Sequence, residues 1–240
     1  MGCVRAVSLD LDGTLLDGSG FASTVPEACR RVATVVPTVD SFALQEANAQ
    51  VWAILWAEAE RDWTLGRLQP GALSLEAWQR SLRAVGISDE HVAKMVTDFH
   101  HELTIASYRL FEDVESFLAQ LRAHGLQTAI TTNGASDTQR EKVSVTGLEK
   151  LVDVVVVSAE VGAAKPDEAI FVAALDALGS EPSDTCHIGD SLAGDIAGAL
   201  GAGLTAIWMN RTGALRSAGD PAPHFEVAGF AEAERFLVPG

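Results

Sequence analysis

The sequence predicts an α/β protein with a doubly wound parallel sheet, interrupted after its first strand by an all-helical block. Three observations carry this. From about residue 109 onward, short apolar runs alternate with segments of helical period, the pattern of successive βα units. From Pro26 to Tyr108 the periodicity is helical throughout, with no strand pattern. The 240 residues, 48% hydrophobic and 21% charged, are enough for one large domain or for a core carrying an insert, in the composition of a folded chain.

Val4 to Leu11 sets Val7, Leu9 and Leu11 against Ser8 and Asp10 and reads as the first strand, running into an acidic loop. In the helical block, Val51, Ile54 and Leu55 form one apolar stretch and Leu75, Trp78, Leu82 and Val85 another, closed by Gly86. Asp113 stands where an N-cap belongs, before Val114, Phe117, Leu118 and Leu121 at helical spacing, with Gly125 just past the end. Leu126 to Thr131 is the second strand, a helix starts near Asp137, and Val152 to Val157 is a buried strand. A helix from Asp167 to Leu178 is stopped by Gly179, and strands follow at Thr185 to Ile188 and Leu204 to Met209. The stretch after Arg211, with Gly213, Gly219, Pro221 and Pro223, reads as loop before a final amphipathic segment. Ligands of such a sheet gather at the carboxyl ends of its strands.

Lys plus Arg total 17 against 33 Asp plus Glu, a net charge of −16. A surface this acidic repels a nucleic-acid backbone, so a nucleic-acid polymer is not the expected partner. An anionic small substrate would need a local cation. Cys3, Cys29 and Cys186 contain no CxxC pair, which excludes a zinc ribbon and a disulfide framework and suits a reducing compartment. Met1 to Ala6 lacks a signal-peptide core and a myristoylation signal, and no apolar run approaches the roughly 20 residues of a bilayer span. The expectation is a cytoplasmic protein without a membrane partner.

Four motifs fall at the ends of four successive expected strands. Asp10-Leu11-Asp12-Gly13-Thr14 offers two carboxylates two residues apart, suited to metal-assisted phosphoryl transfer, one as nucleophile and metal ligand and one as proton donor. Taken alone it also fits a plain acidic turn. Thr131-Thr132-Asn133-Gly134 supplies a hydroxyl and an amide for phosphoryl oxygens, although Asn-Gly is commonly only a turn. Lys165-Pro166-Asp167 provides the cation an acidic protein needs beside an anionic substrate. In Gly189-Asp190-Ser191-Leu192-Ala193-Gly194-Asp195, Asp190 can join Asp10 on a magnesium ion, and Asp195 either supports that shell or anchors Lys165. One crevice would collect all four.

With these motifs in order, the sequence resembles a haloacid dehalogenase superfamily hydrolase of the phosphatase branch that carries a small helical cap between its first and second motifs. The resemblance implies a Rossmann-like core over residues 1–18 and 109–240 and a helical cap over 19–108. It implies that Asp10 forms an aspartyl-phosphate and that Asp12 acts as general acid and then base. Thr132 binds the phosphoryl group with the Asn133 backbone, and Thr131 is its rival for that role. Lys165 holds nucleophile and phosphate together, and Asp190 completes a Mg2+ site with Asp10 and the Asp12 carbonyl. The implied reaction is hydrolysis of a small phosphorylated metabolite. Relatives that break carbon–halogen bonds generally lack the second acid, so Asp12 points to phosphate chemistry. Many relatives have Pro-Gly where this chain has Glu112-Asp113, outside the catalytic set.

Other readings stay open at this stage. A sugar-phosphate mutase would use the same fold, and a binding protein on this scaffold would have no need of Asp10, Asp12, Lys165 and Asp190 together. Gly189-Asp190-Ser191-Leu192 also spells the signature of GDSL-type serine esterases, with Ser191 as nucleophile and His224 and Asp220 downstream. In the helical block Trp52, Trp56, Trp63 and Trp78 are read as core before stacking shelf, and Arg61, Arg67, Arg80 and Arg83 as solvated surface before contacts to an anion. Adjacent His100 and His101 diverge by about 100° on a helix and do not chelate one ion. His187 is read as buried and the cysteines as inert. A homo-oligomer is left open.

Overall fold

The computed structural model describes residues 4–237; Cys3 and the other residues at 1–3 lie outside it, as do 238–240. Residues up to Asp17 together with those from Arg109 onward form one compact unit, and Gly18–Tyr108 forms a second.

The first unit opens with β1 (Ala6–Leu9). The second unit is α1 (Thr24–Val35), α2 (Ser41–Thr64), α3 (Pro70–Ala84) and α4 (Glu90–Ser107), with a 3-10 turn before α1. The first unit resumes with α5 (Val114–Ala123), β2 (Gln127–Thr132), α6 (Ser136–Val145), β3 (Val154–Val157), α7 (Ser158–Val161) and α8 (Glu168–Leu178). It ends with β4 (Thr185–Gly189), α9 (Ala197–Gly201), β5 (Thr205–Met209), β6 (Phe225–Val227) and α10 (Phe230–Leu237).

The six strands form one sheet in the order β3-β2-β1-β4-β5-β6, every pair parallel. The chain moves outward from β1 through β2 to β3, then returns to the far side of β1 with β4. The order therefore reverses at β1, and ligand crevices form at the carboxyl ends beside such a reversal. Register keeps those ends level, since Leu9 lies opposite both Ile130 and Ile188. The fold class read from the sequence is the one observed. The sixth strand was not foreseen: Phe225–Val227 is three residues long, too short for alternation to show in a loop-rich tail.

Buried Val156, Ile170, Phe171, Leu175, Ile196 and Trp208 pack one face of the sheet against α8 and α9. At α8 the local signals work as read: the Asp167 side chain accepts from Ala169 N, and Gly179 closes the helix with φ +61°. At α5 they do not. Asp113 makes no capping bond, because its carboxylate instead accepts from Arg211 and from Phe230 N. Where the chain leaves and re-enters this unit, Asp17 N donates to Arg109 O and the two side chains pair.

The helical unit has its own core of Ala28, Cys29, Val32, Leu44, Trp78, Leu82 and Val96. On α2 only Leu55 of the expected apolar trio is buried, and Ile54 is exposed. His100 belongs to this interior, between Trp78 Nε1 and Thr24 Oγ1, and burial pushes its imidazole down to about 4. No described helix is long and apolar enough to cross a membrane.

Candidate active site

β1 ends at Leu9, and Asp10 takes up the next position with its N–H on Ile188 O at 2.9 Å. This places a carboxylate between the ends of β1 and β4. Lys165, from the loop before α8, brings its Nζ to 2.5 Å from Asp10 Oδ1 and 2.6 Å from Asp195 Oδ1. All three side chains are less than a tenth exposed. Asn133 fixes the backbone behind this lysine: its Oδ1 accepts from Lys165 N and its Nδ2 donates to Lys165 O.

Asp195 lies in a π-helical turn (Leu192–Ile196) that follows β4 and runs into α9. Its Oδ2 accepts from Ser191 N at 2.9 Å, and its Oδ1 faces His187 Nε2 at 3.2 Å. A Cβ on Gly189 would collide with this carboxylate, so glycine is what admits it. Ser8 and His187 are register partners on β1 and β4, and Ser8 Oγ bridges His187 Nδ1 at 2.9 Å and Thr131 Oγ1 at 2.8 Å. Burial pushes the His187 imidazole below its ordinary range. The neutral ring facing a carboxylate through Nε2 carries its proton there, which makes Ser8 the donor to Nδ1 and Thr131 the donor to Ser8.

One lysine serves two buried carboxylates, and the charge is unevenly shared. Burial opposes the charge on Asp195, but Lys165 and His187 outweigh it and hold that carboxyl well below the usual range. Burial raises Asp10, with repulsion from Asp195 and Asp12 added and Lys165 only partly offsetting. Burial opposes the lysine's charge as well, yet Asp10 and Asp195 outweigh it and keep Lys165 above the ordinary lysine range. Asp190 is pushed up to about 6, by burial first and then by Asp195. The Asp10, Asp190 and Asp195 oxygens lie within 4.8 Å of one another. With Asp195 occupied by Lys165, His187 and Ser191, Asp10 and Asp190 are the carboxylates available to a cation. Gly13, with φ +84°, turns the chain here, and a Cβ on it would strike the Asp190 carboxylate.

Asp12 is set apart. Lys142 Nζ sits 2.8 Å from both of its oxygens, and Gln139 Nε2 is 2.9 Å from Oδ2. The same Gln139 nitrogen lies 2.6 Å from Thr132 Oγ1. Asp12 is 40% exposed at its side chain, so this carboxylate meets solvent where Asp10 does not.

The expected residues thus fall into two joined groups: Asp10, Lys165, Asp190 and Asp195 in one, Asp12 and Thr132 in the other. Thr131 is buried against Ser8 on the opposite side of β2, which removes it as the rival of Thr132. Asn133 turns its side chain to the Lys165 backbone. The serine-esterase arrangement is not assembled: Ser191 Oγ accepts from Gly194 N, His224 Nδ1 from Ala206 N, and Asp220 from Ser217 N, with no hydrogen bond among the three. Gln139 and Lys142 were not foreseen. Their signal is positional: three residues apart, they share a face of the helix that leaves the second motif.

The sequence profile of the haloacid dehalogenase-like hydrolases matches residues 4–203. A phosphoserine phosphatase of Thermus thermophilus is 34% identical over 227 residues, covering 87% of this chain and 89% of the relative. An N-acylneuraminate-9-phosphatase of Rattus norvegicus is 28% identical over 242 residues, covering 98% and 94%. Among solved structures, a 2-haloacid dehalogenase from Pseudomonas syringae superposes with a TM-score of 0.71 at 26% identity, covering 98% of each chain.

Proposed function

Because this chain belongs to the haloacid dehalogenase-like hydrolase family and is a phosphoric monoester hydrolase, we propose that it cleaves a small organic phosphomonoester through an aspartyl-phosphate on Asp10, with magnesium as cofactor. The observation that carries this reading is the contrast between its two neighbouring carboxylates. Asp10 is buried on Lys165 at 2.5 Å, while Asp12 stays open to solvent. A nucleophile needs the first environment and a proton carrier the second.

The residues present fit a magnesium ion. Their donors are hard oxygens, and the one ammonium of Lys165 does not balance the three clustered carboxylates of Asp10, Asp190 and Asp195, so a divalent cation would complete the charge balance. Asp10, Asp190 and the Asp12 carbonyl would hold it. When bound, the ion offsets repulsion between nucleophile and phosphate and stabilises the transferring group.

The Thr132 hydroxyl, the Asn133 N–H and the Lys165 ammonium receive the phosphoryl oxygens. Asp10 attacks phosphorus through the oxygen that Lys165 does not hold. The bond to the leaving oxygen breaks as Asp12 passes it a proton. Water then attacks phosphorus and yields a proton to Asp12, the bond to Asp10 breaks, and phosphate departs. Lys165 keeps its charge throughout, steadied by Asp195. A fold shared with a dehalogenase does not set the chemistry; Asp12 favours phosphate esters. Residues 19–108 are assigned as the cap that selects the substrate, and a cytoplasmic location accords with the buried free cysteines Cys29 and Cys186.

The test is phosphate release from a panel with and without Mg2+, including phosphoserine and N-acylneuraminate 9-phosphate, the compounds named for the relatives. Magnesium-dependent release should fall at least about 10³-fold in Asp10→Asn, in keeping with loss of a nucleophile. Release that survives the substitution contradicts the reading, and an isomerised sugar phosphate without free phosphate would indicate the mutase.

A further inference from the structure

Gln139 and Lys142 occupy positions 4 and 7 of α6, one turn apart and on one face. Lys142 Nζ is equidistant, at 2.8 Å, from the two Asp12 oxygens. A cation placed so restrains the carboxylate against rotation about its last bond. Gln139 Nε2 has two hydrogens and two partners, Asp12 Oδ2 at 2.9 Å and Thr132 Oγ1 at 2.6 Å. Both hydrogens are therefore spent, and towards Gln139 the threonine oxygen acts as acceptor. The Thr132 hydrogen is left to point elsewhere, where it can donate to a phosphoryl oxygen. Gln139 is fully buried, and its Oε1 has no partner. A buried side chain with an orphaned acceptor is a poor choice for packing alone, since an apolar residue of similar length would fill the space without it.

We propose that Gln139 and Lys142 are positioning residues for the reaction: together they aim the Asp12 carboxyl at the leaving group, and Gln139 sets the Thr132 hydroxyl as a donor to phosphate. The proposal rests on the reading of Asp12 as general acid. It separates two effects. Lys142 acts through Asp12 alone, and Gln139 acts through Asp12 and on phosphate binding.

The test uses aryl phosphates whose leaving groups run from p-nitrophenolate, which departs without a proton, to p-methoxyphenolate, which gains most from one. In Lys142→Met, kcat/KM, which reports formation of the aspartyl-phosphate, should fall about tenfold or more on the poor leaving group and less than about threefold on p-nitrophenyl phosphate. Lys142→Arg should recover part of the loss. Gln139→Met should show the same graded loss with a raised KM for every ester, and should melt no lower than wild type because the orphaned acceptor is gone. In the Asp12→Asn background, Lys142→Met should cost nothing further on the poor leaving group, since a residue acting through Asp12 has nothing left to act on. An equal loss across the series, or full additivity in the double variant, overturns the proposal while a graded loss in Asp12→Asn alone leaves the mechanism standing. If Asp12→Asn itself shows no grading, the acid reading and this proposal fall together.

Discussion

A single ammonium, Lys165, is asked to neutralise two carboxylates in a place that water scarcely reaches. It satisfies Asp195, which His187 and Ser191 N also hold, and leaves Asp10 and Asp190 with raised affinity for protons. Those protons compete with a divalent cation. The affinity for Mg2+ should therefore rise with pH through the region near 6, by about tenfold per pH unit for each proton displaced. The sign follows from the direction of the shifts: carboxyls raised in the folded protein are still protonated at pH 5 and must lose that proton to the metal. Calorimetric titration with Mg2+ at pH 6 in two buffers of different ionisation heat should show proton release, smaller in Asp190→Asn. A Kd that stays level between pH 5 and 7.5 contradicts the charge balance drawn here. Most of this site is legible as residue types, because Asp10, Asp12, Lys165 and Asp190 follow expected strands. The sequence offers Asp195 both as support for the metal shell and as anchor for Lys165, and the choice between the two is not legible that way. It depends on the geometry of the π-helical turn and on Gly189 giving up its Cβ space.

Among the elements, α5 shows how tertiary contacts redirect a residue that looks local in sequence. Asp113 has the position of an N-cap, yet Arg211 captures it at 2.9 Å and Phe230 N donates to it. Arg211 itself lies 3.9 Å over the Phe111 ring and donates to Thr14 O, so one guanidinium joins the loops after β1 and β5 to the start of α10. Arg211 is about 100 residues from Asp113 by the spacing of their bond, too far for a sequence pattern to reveal. Asp113→Asn should cost about 1–3 kcal/mol at pH 7, a fall in Tm of about 2–4 °C for each kcal/mol in a chain of this size. Burial works to raise this carboxyl, but the bonds from Arg211 and Phe230 N outweigh it and hold it below its ordinary value. The stability it adds is then complete above the unfolded pKa of about 3.9 and is lost as pH falls through the lower folded value. The Tm gap between wild type and Asp113→Asn should narrow as pH is lowered below about 3.9, measured by circular dichroism. A gap that does not narrow with falling pH rules out the charged pair as its source. In α6, by contrast, helical spacing alone places Gln139 and Lys142 together, and what sequence lacks is the strand loop they face.

For the whole molecule, a net charge of −16 makes the placement of cations decisive. Lys165 and Lys142 bring their ammonium groups to the loop after β1, where the strand order reverses, Lys142 to Asp12 and Lys165 to Asp10 and Asp195 together. The sheet was readable because buried parallel strands write themselves as apolar runs between helices. The short β6 was not, since three residues carry no period. The most direct test of the account is to trap the phosphoenzyme. With radiolabelled p-nitrophenyl phosphate, whose leaving group departs without a proton, Asp12→Asn should form the aspartyl-phosphate and release it slowly, so acid quenching within one turnover, followed by peptide mapping, should place the label on Asp10. Turnover without a labelled peptide, or a label on another residue such as Ser191, would contradict it.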